Sequence, residues 1–441
     1  MRNKTMFGAM AVSVALLLTA CGGGGGGETE TTAEETTAST EETTEATEET
    51  TEEAPAVRGS EDLVIWTDDN KLAAVTEAAK AFGEANGITV GVQAIVNTRS
   101  DFITANQAGN GPDVLVGAHD WIGQLVSNGA IDPLQLDTSG YAEKAVSAVT
   151  YAGQLYGVPY GVESLVLYCN TEIVGDTQWA SIDDAIAAGQ AAKDAGTVDS
   201  ALNVPQGIQG DPYNMQPYYT SAGGYLFGKT ADGSYNPDDL GVGTPAGVAA
   251  AAKIAELGEK GTGVFSTAIT GDNAISLFAE GKAGCLSSGP WALKDVETGL
   301  AGKFNIQPIP GFAGMGPAQP FMGAQAFYVA SAGKNKSFAQ AFVTGNTPGA
   351  LNTEETMTTL YEGANLPPAM TSVRDVAAAA DPNIGIFGVA ADAAEPMPAI
   401  PAMDQVWTPL GQAYAAVIGG ADPASTMETT AATITAAIAG S

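Results

Sequence analysis

The heptapeptide GAHDWIG, residues 117–123, contains the only histidine of the chain, His119, followed directly by Asp120 and Trp121. An imidazole beside a carboxylate has the chemistry for proton transfer or for holding a metal ion. A zinc site would need more His or Cys ligands, and the two cysteines of the later sequence are far apart. No GxSxG turn, P-loop or GxGxxG after a strand occurs. These patterns predict neither a metal site nor a cofactor.

Carboxylates beside aromatic rings suggest a second chemistry, carbohydrate binding. A pyranose ring stacks its apolar C–H face on an aromatic side chain, and its hydroxyls donate strong hydrogen bonds to carboxylates. Aromatic residues stand beside polar or turn residues at Asp120-Trp121, Asp211-Pro212-Tyr213, Gly289-Pro290-Trp291 and Val406-Trp407. Each of these aromatics taken alone more often packs in a core. A glycoside-cleaving pair of carboxylates is the enzymatic alternative.

Composition restricts the partners. The chain has 441 residues and a formal net charge of −33, so it repels phosphate backbones and we expect no nucleic-acid partner. A basic start is followed by the apolar run MFGAMAVSVALLLTA and Cys21, which is typical of a secretory signal peptide. LTAC, residues 18–21, resembles a lipobox, in which the cysteine is lipidated. Ordinary signal cleavage beside a chance cysteine is the alternative.

An acidic segment follows Cys21. Residues 28–53 contain only Glu, Thr, Ala and one Ser, and eleven of these 26 residues are Glu. Such a segment cannot bury enough apolar surface to fold, so it is predicted to be a disordered tether between a membrane anchor and the folded body. A glycosylated or merely solubilising spacer is compatible with the same composition. No later stretch has eighteen consecutive apolar residues, so only the anchor is expected to contact a membrane.

The body, from about Val57, alternates strand and helix patterns. EDLVIWTDD, GITVGVQAI and GPDVLVG are predicted strands, and KLAAVTEAAKAFGEAN and RSDFITANQAG are predicted helices between them. Later helices include SIDDAIAAGQAAKDAG, for which Ser181 is the expected N-cap. This spacing indicates an α/β protein with largely parallel sheet.

Six motifs in order resemble the maltose- and maltodextrin-binding members of the extracellular solute-binding proteins of ABC transporters. They are LVIWTDDNK, GNGPDVLVGAHDWIGQLVSNG, YGVPYGVESLVLYCN, IQGDPYNMQPYYTSAGGY, AISLFAEGKAGCLSSGPWAL and PMPAIPAMDQVW. The resemblance runs from about residue 60 to the C-terminus.

The resemblance implies an α/β periplasmic-binding-protein fold with two discontinuous lobes, crossing strands and a ligand cleft between the lobes. Crossings are expected near 161–165, 321–327 and 373–381. The implied organisation is a signal peptide (1–20), a lipidated cysteine with its tether (21–57), an N-terminal lobe (58–163 plus 324–376) and a C-terminal lobe (164–323 plus 377–441).

The resemblance also implies ligand contacts. The sugar-binding carboxylates of the family fall on Asp120, Glu163 and Asp211, its stacking aromatics on Tyr213, Trp291 and Trp407, and its first-loop lysine on Lys71. The chain departs from the family pattern at four places. A family tryptophan is replaced by Gly117, an arginine by Trp121, an aromatic residue by Gln216 and a late arginine by Gly411.

Three interpretations depend on this alignment. His119 is expected to be structural, close to Asp120 and without a catalytic role. Trp121 either replaces a stacking aromatic of the family or packs on its own lobe. Cys169 and Cys285 fall on apparent strands of the same lobe, so they are predicted to form a disulfide, with two separate buried thiols as the alternative.

The expected function follows from the same resemblance. The chain is interpreted as a monomeric, lipid-anchored receptor on the extracellular face of a bacterial cell membrane. It would deliver a malto-oligosaccharide or a related α-glucoside to an ABC permease by closure of its lobes, without catalysis. The rival interpretations are a secreted glycan-active enzyme with two cleft carboxylates and an adhesin-like surface module.

Overall fold

The computed structural model of the protein describes residues 56–231, 233–364 and 366–440. The predicted signal peptide, Cys21 and all but the last two residues of the predicted tether lie outside these ranges. Within them, no helix combines the length and apolarity that a membrane crossing requires.

The strands alternate with helices through much of the described chain. In chain order they are β1 (Leu63–Thr67), β2 (Val90–Ala94), β3 (Val114–Ala118), β4 (Thr150–Tyr151), β5 (Gln154–Leu155), β6 (Gly157–Ser164), β7 (Val166–Asn170), β8 (Ser200–Asn203), β9 (Phe227–Lys229), β10 (Tyr235–Leu240), β11 (Ala283–Ser288), β12 (Phe304–Pro308), β13 (Phe321–Val329) and β14 (Glu395–Pro396). The predicted strands at β1, β2 and β3 are therefore confirmed.

The helices cover both faces of the main sheets. They are α1 (Asp69–Asn86), α2 (Thr98–Gln107), α3 (Ile122–Ser127), α4 (Glu143–Ala148), α5 (Thr171–Val174), α6 (Ile182–Asp194), α7 (Pro212–Ser221), α8 (Pro245–Leu257), α9 (Ala274–Ala279), α10 (Leu293–Leu300), α11 (Lys336–Thr344), α12 (Glu354–Ala364), α13 (Thr371–Ala380), α14 (Pro382–Ala393), α15 (Trp407–Ile418) and α16 (Pro423–Gly440). Short 3₁₀ helices occupy His119–Trp121, Pro290–Ala292 and Pro401–Gln405. Ser181 caps α6 as predicted, accepting a 3.2 Å hydrogen bond from the backbone N–H of Asp184.

A six-stranded sheet organises the first lobe. Its order is β14-β13-β3-β1-β2, and β6 also pairs with β13. β1 is parallel to β2 and β3, whereas β13 is antiparallel to β3 and β6. Residues of β1 alternate between two hydrophobic cores, with Leu63 and Ile65 in one and Val64 and Trp66 in the other. A strand buried on both faces explains why its sequence is continuously apolar.

A four-stranded sheet, in the order β12-β7-β11-β8, organises the second lobe. β7 likewise divides its side chains between two cores, with Val166 and Tyr168 on one face and Leu167 and Cys169 on the other. Cys169 and Cys285 are directly opposite each other on β7 and β11 and are joined by a disulfide. The bridge therefore ties two neighbouring strands of a single lobe.

The chain passes between the two sheets over short distances. β6 ends at Ser164 in the first sheet, and β7 begins at Val166 in the second. After β12 ends at Pro308, the chain returns to the first sheet at Phe321, where β13 begins. Each lobe is thus built from separated parts of the sequence, which is the two-lobed α/β architecture with crossing strands that the resemblance implied.

Candidate ligand-binding cleft

His119 is fully buried at the start of the 3₁₀ helix that follows β3. The backbone N–H of Ala324 donates to its Nδ1 (3.1 Å), and its Nε2–H donates to the carbonyl oxygen of Met397 (3.1 Å). This pair of partners requires the neutral imidazole with its proton on Nε2. Burial lowers the pKa of His119 to about 4, while its two backbone partners oppose the shift. The histidine therefore joins β3 to β13 and to residue 397, and its nitrogens are not free for catalysis.

Asp120 carries the first unpaired polar atom of the site. The side chain is partly exposed, and its Oδ1 has no hydrogen-bond partner among the described residues. Burial raises the pKa of Asp120 to about 6; the Arg99 guanidinium opposes the shift, and the carboxylates of Asp404 and Glu163 increase it. At neutral pH Asp120 is thus an ionised acceptor in a partly desolvated position, without a protein donor on one oxygen.

Glu163 lies on β6, at the crossing between lobes, directly opposite Gly323 of β13. A Cβ at position 323 would lie 2.7 Å from Cγ of Glu163, so only glycine leaves room for this side chain. The Gln325 Nε2 donates a long 3.4 Å hydrogen bond to Glu163 Oε1. Burial raises the pKa of Glu163, and Gln325 and the ammonium of Lys71 counteract that rise. Glu163 is therefore a second carboxyl group whose burial is only partly offset by hydrogen bonds and positive charge from the protein.

Lys71 and Asp68 lie where β1 leads into α1. The Lys71 ammonium pairs with one carboxylate oxygen of Asp68, and the other oxygen of Asp68 is buried without a partner. Asp68 stands at the N-cap position of α1 but makes no capping hydrogen bond. The charges of Lys71 and Asp68 both influence the pKa of Glu163, so both side chains lie near its carboxylate. The ligand contact that the resemblance implied for Lys71 stays a prediction, and Asp68 was not among the predicted site residues.

Four aromatic rings form a continuous row on the second-lobe side. The ring centroids of Trp291 and Tyr213 are 6.3 Å apart, those of Tyr213 and Phe321 are 6.2 Å apart, and those of Phe321 and Trp407 are 6.1 Å apart. The three aromatics that the resemblance implied are thus brought together, although they come from α7, a 3₁₀ helix and α15. Phe321, at the start of β13, joins Tyr213 to Trp407 and was not predicted as a site residue. We refer to these four residues as the aromatic row.

The ends of the aromatic row differ in exposure. Trp291 is 44% exposed, whereas Phe321 is 3% exposed and supports the row from beneath. The turn before Trp291 is held by the Tyr168 hydroxyl, which donates a 2.8 Å hydrogen bond to the carbonyl oxygen of Gly289. Trp407 is partly buried against the core of the second lobe. Trp291 therefore presents the largest accessible ring surface of the row.

Tyr213 connects the aromatic row with the carboxylates. Its hydroxyl is buried and lacks a hydrogen-bond partner within the part of the chain that the structure describes. Burial raises the pKa of Tyr213 well above the usual range, and the charges of Glu163 and Asp211 raise it further. Because Glu163 belongs to β6 of the first sheet and Tyr213 to α7 of the second lobe, the polar group and the aromatic row meet between the lobes.

Asp211 serves first as the N-cap of α7. Its Oδ1 accepts a 3.0 Å hydrogen bond from the backbone N–H of Asn214, and its Oδ2 accepts a 2.7 Å hydrogen bond from Asn214 Nδ2. Both oxygens thus have a donor inside the helix they begin. The structure gives Asp211 a local structural role, and its contact with ligand stays a prediction.

Trp121 packs on its own lobe. Its ring is partly buried against the first-lobe core that contains Phe102 and Leu115, and it lies directly over Gly117, where any Cβ would overlap it. The guanidinium carbon of Arg99 lies 5.9 Å from the ring centroid. Of the two interpretations of Trp121, packing on its own lobe is observed, and part of the ring remains accessible.

The arrangement has the chemistry to bind a polyhydroxylated ligand. Within residues 56–231, 233–364 and 366–440, buried polar atoms without a partner occur on Asp68, Asp120, Tyr160, Tyr213 and Gln325. Such atoms cost roughly 1–3 kcal/mol each unless a partner is supplied. Among the described residues, no group of three His, Cys, Asp or Glu side chains is placed to hold a metal ion.

Comparison with known proteins identifies the family. Residues 77–386 match the family described as bacterial extracellular solute-binding protein. The chain belongs to this family. As a solute-binding protein it is not an enzyme, and the interpretation as a glycan-cleaving enzyme is wrong.

Individual relatives carry more specific names. The chain is 30% identical over 401 residues to a galactooligosaccharide-binding protein of Bacillus subtilis, covering 85% of this solute-binding protein and 89% of the relative. It is 25% identical to a maltooligosaccharide ABC transporter solute-binding lipoprotein of Streptococcus pneumoniae, with 87% and 90% covered. It is 27% identical to a maltodextrin-binding protein of Bacillus subtilis, with 68% and 71% covered.

The raised pKa of Asp120 predicts that Asp120→Asn stabilises the sugar-free protein at neutral pH. The folded-state pKa of about 6 exceeds the ordinary value of 3.8, so the folded protein binds more protons between these values. Preferential protonation of Asp120 in the folded state stabilises the protein. This stabilisation is complete below pH 3.8 and is lost as the pH rises through 6. At pH 7 the ionised carboxylate therefore costs up to about 3 kcal/mol, and Asn should recover about 1–3 kcal/mol of it.

Urea unfolding of the wild type and the variant at pH 7 and pH 4 measures this difference. The advantage of Asn should disappear at pH 4. The titration of His119 affects stability in the opposite direction in both proteins. Its lowered pKa makes the free energy of unfolding fall as the pH drops from 6.5 towards 4. Comparison at equal pH removes that contribution. A variant less stable than wild type at pH 7 would contradict the assignment of Asp120 as a strained, unpaired carboxylate.

Proposed function

We propose that this solute-binding protein captures an oligosaccharide between its lobes and delivers it to an ABC import permease. One observation carries the proposal: Tyr213, a member of the aromatic row, lies near the carboxylate of Glu163. Glu163 and its polar neighbours are unpaired or weakly paired. Sugar hydroxyls would supply the missing donors, and the C–H face of a pyranose would stack on the exposed ring of Trp291. The names of the relatives support the same ligand class.

Delivery would depend on closure of the two lobes. A ligand favours the closed form only if it binds that form more tightly than the open one. A sugar that contacts Asp120 on the first lobe, Glu163 at the crossing and Trp291 on the second lobe meets this condition. The proposed lobes are residues 58–163 plus 324–376 and residues 164–323 plus 377–441, and the proposed delivering species is a monomer.

The sugar is proposed to be a malto-oligosaccharide or a related α-glucoside. Lys71, Glu163, Tyr213 and the tryptophans of the aromatic row match the maltodextrin-binding pattern, and relatives with 25% and 27% identity carry maltooligosaccharide and maltodextrin names. A galacto-oligosaccharide is the second candidate, because a relative with 30% identity carries that name. The displaced aromatic at Trp121 leaves the stacking layout different from the maltodextrin pattern, which is consistent with either sugar.

Calorimetric titration of residues 56–441 with maltotriose, maltotetraose and a β-linked galactotriose tests the ligand class. We expect a dissociation constant in the micromolar range or below for at least one of them, and no product after prolonged incubation. Binding of a galactotriose alone would overturn the malto-oligosaccharide proposal. Absence of binding to all three would count against this ligand class.

Removal of either accessible tryptophan should weaken binding strongly. Loss of a stacking aromatic at a binding hot spot costs roughly 2–4 kcal/mol, so Trp291→Ala and Trp407→Ala should each lower affinity about 30-fold or more. Because Trp291 is 44% exposed, its removal should leave the melting temperature nearly unchanged. Trp407 packs on the second-lobe core, so its removal should also lower the melting temperature.

Trp179→Ala is the matched control for these variants. Trp179 packs against the same second-lobe core, but its backbone is tied to the side chain of Gln307 on β12 by hydrogen bonds of 2.7 and 3.0 Å. Its removal should leave affinity unchanged. Unchanged affinity in folded Trp291→Ala and Trp407→Ala proteins would remove the aromatic row from the proposed site.

The protein is also proposed to be a lipoprotein, anchored through Cys21 to the extracellular face of the bacterial membrane. The sequence LTAC and the acidic tether support this proposal, as does the name of the pneumococcal relative. Two acyl chains give stable attachment, whereas one gives only reversible binding. Cys21→Ala should therefore release the protein from the membrane fraction into the medium of its native host, as detected by immunoblotting. Retention of the variant in the membrane fraction would exclude this anchor.

A further inference from the structure

Arg99 connects the two lobes at the edge of the candidate site. It lies on α2, whose Phe102 and Ala105 belong to a first-lobe core. Its Nη1 donates a 2.8 Å hydrogen bond to Oδ1 of Asp404. Asp404 belongs to the 3₁₀ helix Pro401–Gln405, whose Met403 is part of the second-lobe core. The ion pair thus joins residues 305 positions apart, each fixed to a different lobe.

The same guanidinium holds Trp121. Its Cζ lies 5.9 Å from the centre of the ring, within the range of a cation–π interaction. The ring also covers Gly117, so the Trp121 side chain contacts both the strand β3 and the cation. Arg99 therefore has one contact that fixes an accessible aromatic ring and another that reaches the opposite lobe.

Asp120 is the third residue that Arg99 affects. The positive charge of Arg99 favours the ionised form of Asp120, and the negative charges of Asp404 and Glu163 disfavour it. When Arg99 pairs with Asp404, its guanidinium offsets the negative charge of both Asp404 and Asp120. In a form with separated lobes, an Asp404 that follows the second lobe would leave Arg99 beside Asp120 and Trp121 only.

We propose that Arg99 is a positioning residue that couples the ligand site to lobe closure, orienting Trp121 and pairing with Asp404 only when the lobes are close. This inference rests on the proposed function for the identity of the ligand. An interaction made in the closed form and absent in the open form adds directly to the free-energy difference between them. Both side chains of the pair are partly exposed, at 33% and 28%, so the contribution is modest.

Four variants test the proposal: Arg99→Met, which removes the charge; Arg99→Lys, which keeps charge without the planar group; Asp404→Asn; and the Arg99→Met/Asp404→Asn double variant. Pulsed electron paramagnetic resonance between one spin label on each lobe measures lobe separation with and without maltotriose. Calorimetry measures affinity. Lys336→Met is the matched control, because its ammonium pairs with Asp132 at 2.5 Å, and both residues of that pair belong to the proposed first lobe.

Arg99→Met and Asp404→Asn should each shift the sugar-free distances towards wider separations. Arg99→Met should also weaken sugar binding about 3- to 20-fold, the range expected for loss of a partly exposed ion pair together with a cation–π contact. Asp404→Asn should weaken it less, about 2- to 5-fold, because it leaves the cation–π contact in place. The double variant should be scarcely weaker than Arg99→Met, because both changes remove the same pair. Arg99→Lys should recover the distance distribution more fully than the affinity, since lysine keeps the ion pair and stacks poorly on Trp121. The control should match the wild type.

Distances and affinities equal to wild type in the folded Arg99→Met protein would overturn the proposal. A lowered melting temperature with unchanged affinity and distances would also overturn it, since that pattern describes a residue that only stabilises α2. If the wild type binds neither maltotriose nor the other sugars of the panel, the proposed function fails. The sugar-free distances then still decide whether Arg99 controls closure.

Discussion

The antiparallel pairing of β6 with β13 is the contact on which the rest of the site depends. These two strands carry the chain between the lobes, and their register sets which side chains meet at the crossing. β13 contributes Phe321 to the aromatic row, Gly323 to the space that Glu163 fills, and Gln325 as the donor to Glu163. The backbone N–H of Ala324 also fixes His119, and hence the turn that presents Asp120. A slip of one residue in this pair would turn all of these side chains to the opposite face.

The cleft combines rigid support with polar groups that the protein leaves unsatisfied. His119 has a hydrogen-bond partner on both ring nitrogens and Asp211 on both carboxylate oxygens, so these two side chains hold their neighbours in place. Asp120 and Glu163 are carboxyl groups in partly desolvated positions, and burial raises the pKa of both. Unpaired polar groups at such positions lower the stability of the ligand-free protein. Binding sites commonly contain them, because the ligand supplies the missing hydrogen-bond partners.

Local features of this protein were predictable from the sequence, and contacts between distant segments were not. The strand at residues 63–67 and the Ser181 cap depend on neighbouring residues, which a pattern records directly. Asp120 and Glu163 were predicted as ligand-binding residues through family resemblance, and that role stays a prediction. Phe321 and Arg99 were missed, because their roles depend on partners 86 and 305 positions away, Trp407 and Asp404. For Asp211, the alignment implied only a ligand contact. The structure shows that this residue also caps α7, a role that the alignment did not contain.

Gly117 and Trp121 show how two apparent departures from a family can be one change. In the sequence, a tryptophan is missing at position 117 and an unexpected tryptophan is present at position 121, and nothing connects them. In the structure, the ring of Trp121 lies on the surface that Gly117 leaves open. Trp121 reaches this surface from the 3₁₀ helix, and its ring contacts Gly117 of β3 and the guanidinium of Arg99. Arg99 in turn pairs with Asp404 of the second lobe. Under the role proposed for Arg99, the orientation of this ring depends on a contact between the lobes.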